Sequence, residues 1–230
     1  MTLKSLFTLA LIFSQGCVVD ALAQGAPLDL TPKKPAPAAA AISRVATPPK
    51  LASQDAAALV QKANGWFNAN ATLVSDFSQV GADGRRTTGK LYVQKPGRLR
   101  FEYASPAPLE IIADGTSVAV RNKKLATQDE YFISQTPLKF LLKSDIDIAR
   151  DTKILDVTQT ASAISITIED KATFGGTSRI KLIFDPQTNA LKQWTVIDPQ
   201  GFETLVTLAN LDLKRKPGAE LFKINREKFN

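Results

Sequence analysis

The sequence predicts a mainly β (α+β) protein: an antiparallel meander of about eleven strands curled into a barrel or half-barrel, with one helix before it and one in its middle. Three observations carry this. Apolar and polar residues alternate through most of residues 72–208, as in "GRLRFEY", where Leu99, Phe101 and Tyr103 share one side and Arg98, Arg100 and Glu102 the other. Turn chemistry interrupts the alternation at Asp83-Gly84, Pro96-Gly97, Asp114-Gly115, Gly175-Gly176, Asp185-Pro186 and Asp198-Pro199-Gln200-Gly201. Two short segments break it with helical spacing.

Residues 1–23 read as a secretory signal: Lys4 is the positive start, Leu6 to Phe13 a short apolar run, and Ala21-Leu22-Ala23 a small-x-small cleavage site. The run is too short for a stable bilayer anchor. Gly16-Cys17 offers lipid attachment as a rival, but Ser14 stands where such sites usually carry leucine. Residues 24–52 hold six of the thirteen prolines among alanines and read as a disordered, polyproline-like tether.

The folded domain is expected over 53–230. In "SQDAAALVQKANGWFNAN" the apolar positions Ala56, Leu59, Val60, Ala63, Trp66 and Phe67 have helical spacing, Ser53 can cap, and Asn68 and Asn70 supply stop chemistry. Strands follow at about 72–80, 88–95, 98–103, 109–113, 117–122 and 125–133, then 153–159, 163–170, 177–185, 191–197 and 203–208. Between the two sets, "TPLKFLLKSD" reads as a short helix with Thr136 as cap, Pro137 at the first position, and Leu138, Leu141 and Leu142 on one face. Both helices carry apolar stripes, and the concave side of the sheet is where they can bury them.

Composition narrows the chemistry. The chain has no histidine and one cysteine, Cys17, which cleavage after Ala23 removes. That excludes disulfides, thiolate nucleophiles, imidazole or thiolate metal sites and a Ser-His-Asp triad from the mature domain, so neither metal nor cofactor is expected. The net charge of +7 is unchanged by cleavage, since Lys4 and Asp20 leave together. Its basic residues mostly alternate with apolar positions or sit beside acids, a solvated cationic surface rather than a nucleic-acid groove. Ser178-x-x-Lys181 has the spacing of some serine acyl enzymes, but on a strand the two side chains point to opposite faces. The acid pairs Asp145/Asp147 and Glu169/Asp170 read as loop or surface charges.

Taken in order, "FSQV" at 77–80, "GKLYVQKPGRLRFEY", "PLEIIADGTSVAV", "TPLKFLL" and "LKQWTVIDPQGFETLVTLANL" resemble the periplasmic outer-membrane lipoprotein carrier family (LolA) over about residues 53–225. The resemblance implies an unclosed antiparallel half-barrel with a helical lid over a hydrophobic cavity. It also implies a non-enzymatic, monomeric periplasmic carrier. Such a carrier takes triacylated lipoproteins from an ATP-driven inner-membrane release complex to an outer-membrane acceptor or the outer membrane itself. In the family an arginine just before the "basic-Pro" proline holds the lid carbonyls. The matching residue is Lys95, the gate candidate, which keeps the charge but loses the five-donor fork.

On this reading Leu91, Val93, Leu99, Phe101, Tyr103, Leu109, Ile111, Phe77 and Trp194 are cavity candidates, and Leu138, Leu141, Leu142, Trp66 and Phe67 lid candidates. Burying hydrocarbon yields about 0.8 kcal/mol per methylene, so one long chain is worth roughly 10 kcal/mol and does not cross water unshielded. Alternation alone equally fits a solid core. A related half-barrel lipid or glycolipid-binding sensor of the envelope, and an adaptor using the arm and a sheet edge, are the other readings.

Overall fold

The computed structural model describes residues 53–137, 139–173 and 175–226; the signal and tether expectations fall outside them. Helix α1 (Ser53–Ala69) is followed by strands β1 (Thr72–Val80), β2 (Arg86–Gln94), β3 (Arg98–Tyr103), β4 (Leu109–Asp114), β5 (Ser117–Asn122) and β6 (Thr127–Phe132). After the short helices α2 (Lys139–Leu142) and α3 (Ile148–Asp151) come β7 (Lys153–Gln159), β8 (Ile164–Thr173), β9 (Gly176–Phe184), β10 (Leu191–Ile197) and β11 (Glu203–Asp212). Every predicted strand is present. The last is four residues longer than the alternation indicates, because β11 pairs with β1 from Val80↔Leu205 to Val74↔Asp212.

All eleven strands form one antiparallel sheet in the order β6-β5-β4-β3-β2-β1-β11-β10-β9-β8-β7. The sheet does not close, since β6 and β7 are its two edges. These edges are consecutive in sequence, and the segment joining them, residues 133–152, contains the short helices. The turn aspartates act as read: Asp114, Asp185 and Asp198 each accept backbone N–H groups two to four residues on, an arrangement that fixes the chain reversal.

Register defines the two faces. Leu73, Ser75 and Phe77 of β1 lie opposite Val93, Leu91 and Gly89 of β2, and Leu91 and Val93 opposite Phe101 and Leu99 of β3. Gly89 is obligatory here: a Cβ would collide with the Glu102 carbonyl oxygen and sit 2.8 Å from the Phe77 ring. In the other half Ile164, Ile166 and Ile168 of β8 face Phe184, Leu182 and Ile180 of β9. These inward residues and the apolar stripe of α1 (Leu59, Val60, Ala63, Phe67) form one buried core.

The outward face is covered locally by the C-terminal segment, whose 3-10 turn Ala219–Phe222 packs on β3 and β4. Beneath it Glu110, 3% exposed, accepts from Arg100 at 2.6 Å and Arg121 at 3.4 Å, while Arg100 also donates to the Leu221 carbonyl. A buried carboxylate is tolerable because it is paired and hydrogen-bonded.

The mid-chain helix departs from expectation. The Thr136 hydroxyl donates to the Ile133 carbonyl at 2.9 Å and closes the preceding turn. The helical spacing instead yields the single turn α2 and, after a break, α3. There Asp147, read as a surface charge, is the N-cap and accepts from the Ala149 and Arg150 amides.

Candidate functional site

The C-terminal half of α1 and the 133–152 segment form a cap over the concave face. Asn64 and Asn68, one turn apart on α1, fasten the two pieces together. The Asn68 side chain both donates to the Ile146 carbonyl and accepts from the Ile146 amide, each at 2.9 Å. Asn64, 6% exposed, accepts from the Ile148 amide at 3.1 Å. Asn68 read as stop chemistry in the sequence; the structure makes it a clamp on backbone 78 residues away.

Lys95 ties the cap to the sheet. It lies one residue beyond β2, its amide donating to the Ala71 carbonyl at 2.8 Å, and its ammonium donates to the Phe67 carbonyl at the end of α1 while standing 5.5 Å from the Phe67 ring centre. Among the described residues that is one cap carbonyl held, within the reach of a single-point donor. Burial pushes the ammonium down to about 8, outweighing the carbonyl and ring, which favour the charge.

The sign of the resulting pH dependence follows from linkage. Between about 8 and the ordinary 10.5 the closed form holds Lys95 neutral, whereas a form that hydrates it, opened or unfolded, binds the proton. Raising pH through that window therefore stabilises the closed cap. We expect uptake of an apolar fluorescent dye to fall across it in the wild type and to lose that trend in Lys95→Met; an identical trend in both assigns it to another group.

Under the cap lies a pocket of about 290 Å³ lined by Phe67, Phe140, Ile146, Ile148, Ile168 and Leu182, with Ser134, Thr152 and two ion pairs, Lys139–Asp170 and Lys143–Asp151, completing its walls. Phe67 lies at one side of this space, its ring 5.7 Å from Phe184 and 6.4 Å from Phe140.

The sequence-derived candidates are placed as follows. Phe77, Phe101, Tyr103 and Trp194 form a continuous edge-to-face and stacked aromatic layer with Phe140, and Leu91, Val93 and Leu99 are buried with them. The Tyr103 hydroxyl donates to Gln79 at 2.8 Å, and burial pushes the phenol well above its usual range. Leu109, Ile111 and Trp66 are half-buried against this core, Leu141 and Leu142 are buried within the cap, and Leu138 lies outside the described residues. Among the described candidates, Phe67 alone borders the pocket. Its apolar floor comes from the second half of the sheet and from the cap, and the alternation in "ISITIED" and "SRIKLIFD" was the available signal for Ile168 and Leu182.

One acid pair is corrected. Glu169 and Asp170 were expected at the surface, but β8 runs on to Thr173, so Asp170 keeps the inward parity of Ile164, Ile166 and Ile168 and is 4% exposed. Ser178 and Lys181 do fall on opposite faces: Ser178 is buried and shares a hydrogen bond of 2.9 Å with Thr173, and Lys181 is exposed. Among the described residues no group of three histidine, cysteine or acidic side chains is placed to hold a metal ion.

An open antiparallel sheet roofed by a tethered cap, with an apolar pocket between them, is the architecture of a binding protein. The chain belongs to the outer membrane lipoprotein carrier protein LolA family, whose profile matches residues 68–225. It is 27% identical over 170 residues to an outer-membrane lipoprotein carrier protein of Legionella pneumophila (strain Lens), covering 70% of this chain and 83% of that one. An uncharacterized protein of Rickettsia prowazekii is 26% identical over 156 residues, covering 67% and 71%. Among solved structures, the LolA superfamily protein NE2245 from Nitrosomonas europaea aligns with a TM-score of 0.43 at 9% identity over 74% of this chain and 97% of that chain. The Mycobacterium tuberculosis lipoprotein LppX aligns with a TM-score of 0.41 at 7% identity over 72% and 99%.

Proposed function

We propose that this protein is a periplasmic carrier that shelters the acyl chains of lipoproteins released from the inner membrane and delivers them to the outer membrane. The observation that carries the reading is the pocket beneath a cap held by a few polar ties, in a chain of the lipoprotein carrier family. At about 290 Å³ the closed pocket is at the lower end of small-molecule sites, roughly 300–1,000 Å³, and is far too small for three acyl chains. Loading therefore requires the cap to lift, exposing inward residues of the trough to the guest. When the cap returns, that apolar surface is reburied, so net affinity stays low enough for handover. No bond is made or broken in such a cycle.

Secretion would use residues 1–23, with an ATP-driven inner-membrane complex as donor and an outer-membrane acceptor, or the membrane itself, as recipient. Among the described residues no helix is long and apolar enough to cross a membrane. The deciding experiment is release of a triacylated lipoprotein, as a soluble one-to-one complex, from inner-membrane vesicles supplied with ATP. No release, with free glycolipid recovered from the protein instead, replaces lipoprotein as the cargo.

A further inference from the structure

The floor of the pocket is hydrocarbon, yet its wall holds a buried ion pair. The Lys139 ammonium lies 2.9 and 2.8 Å from the two oxygens of Asp170, with the side chains only 18% and 5% exposed. A second pair, Lys143 to Asp151 at 2.8 Å, stands further toward solvent, its lysine 44% exposed. The two lysines are one turn apart on the same face of the cap, and each is matched by one carboxylate.

Buried ion pairs contribute little net stability and are often replaceable by apolar side chains. Their consequence for a guest is clearer. The residues lining the pocket carry two cations and two anions, and Arg150, which also bonds Asp151 from outside the lining, is balanced by Asp145, so the local net charge is zero. A free carboxylate entering there must either displace Asp170 from Lys139 or lie against it as a like charge. An ester or amide carbonyl avoids both. An ammonium has three N–H donors, of which one is given to Asp170 Oδ1 in a hydrogen bond, so a neutral carbonyl can accept another without breaking the pair.

We propose that this pocket is a subsite for one acyl chain joined through an ester or amide, and that the Lys139–Asp170 pair selects that uncharged linkage over free fatty acid. This rests on the lipid-binding reading above and adds to it what the protein refuses. The size fits one chain or part of one: the volume is roughly twice the 150 Å³ cavity that holds a benzene. Phe67, Ile168 and Leu182 would contact the methylenes and Lys139 the linkage.

The test is calorimetric titration of the mature full chain, near neutral pH and below micelle-forming concentrations, with glycerol monodecanoate, decanoate and decyltrimethylammonium. We expect the neutral ester to bind at least about tenfold more tightly than either ion. Asp170→Asn should strengthen decanoate binding by about tenfold or more, and Lys139→Gln should do the same for decyltrimethylammonium. Undetectable binding of the ester, ions binding as tightly as the ester, or ratios unmoved by both variants would overturn the proposal. If either variant fails to fold, the wild-type comparison of the three probes decides alone. Lipoprotein release from vesicles is scored separately: discrimination without release sinks the carrier reading and keeps the subsite, and release without discrimination does the reverse.

Discussion

Replacing Phe101 with glutamate is expected to leave no folded protein. Phe101 is 3% exposed, and its ring centre lies 5.0 Å from that of Phe77, 6.2 Å from Tyr103 and 6.4 Å from Trp194. It is paired across the sheet with Leu91 on one side and Ile111 on the other. Truncating such a ring costs about 3–5 kcal/mol, and enclosing a carboxylate with no partner adds several more. A domain of this size has about 5–15 kcal/mol in total, so the sum reaches the whole of it. Circular dichroism and thermal melting check this: a cooperative transition near the wild-type temperature would mean that Phe101 meets water. Phe101→Ala is expected to fold with a lowered melting temperature, which separates the lost packing from the buried charge.

That expectation also bears on where a guest goes. In the closed form the trough under β1–β3 is filled by its own aromatic side chains, and the open volume lies under the cap against β8 and β9. The alternation of Leu99, Phe101 and Tyr103 says which way each side chain points. It does not say whether an inward residue meets another inward residue or empty space. That depends on strand order, which joins β1 to β11 and so sets the two halves of the sheet side by side, and on which half the cap overlies. The eleven strands were therefore legible to within a few residues at their ends, because alternation and turn aspartates are local signals, while the pocket was not, because Ile168, Leu182 and Ile148 meet only through long-range contacts. Asp170 was missed although the strand expected over 163–170 already gave it the parity of Ile164, Ile166 and Ile168: an acid at a strand end has a sufficient local explanation at the surface, and its partner Lys139 lies 31 residues upstream. Asn64 and Asn68 were invisible as a clamp: polar residues near the end of a helix have a sufficient local explanation, and their partners lie 78 to 84 residues downstream.

The double variant Asn64→Ala, Asn68→Ala should loosen the cap without dismantling the sheet. It removes the three hydrogen bonds through which α1 holds Ile146 and Ile148. Ile146 and Ile148 are each 4% exposed, so their freed backbone groups are satisfied only if the segment moves outward to water. Losing these bonds costs about 2–5 kcal/mol in the closed form, and every 1.4 kcal/mol is a tenfold shift in the closed-to-open ratio. Most of that cost falls on closure rather than on the strands, because the sheet ladder and the aromatic layer make no use of either asparagine. Hydrogen exchange should therefore accelerate by about tenfold or more at residues 139–148 and stay near wild type in β1, β2, β10 and β11. An apolar guest, no longer competing against a closed cap, should bind more tightly and leave more slowly, so cargo is retained at the handover step. A melting temperature lowered uniformly, with exchange in 139–148 no faster than in the central strands and guest affinity unchanged, would show that the clamp serves folding alone.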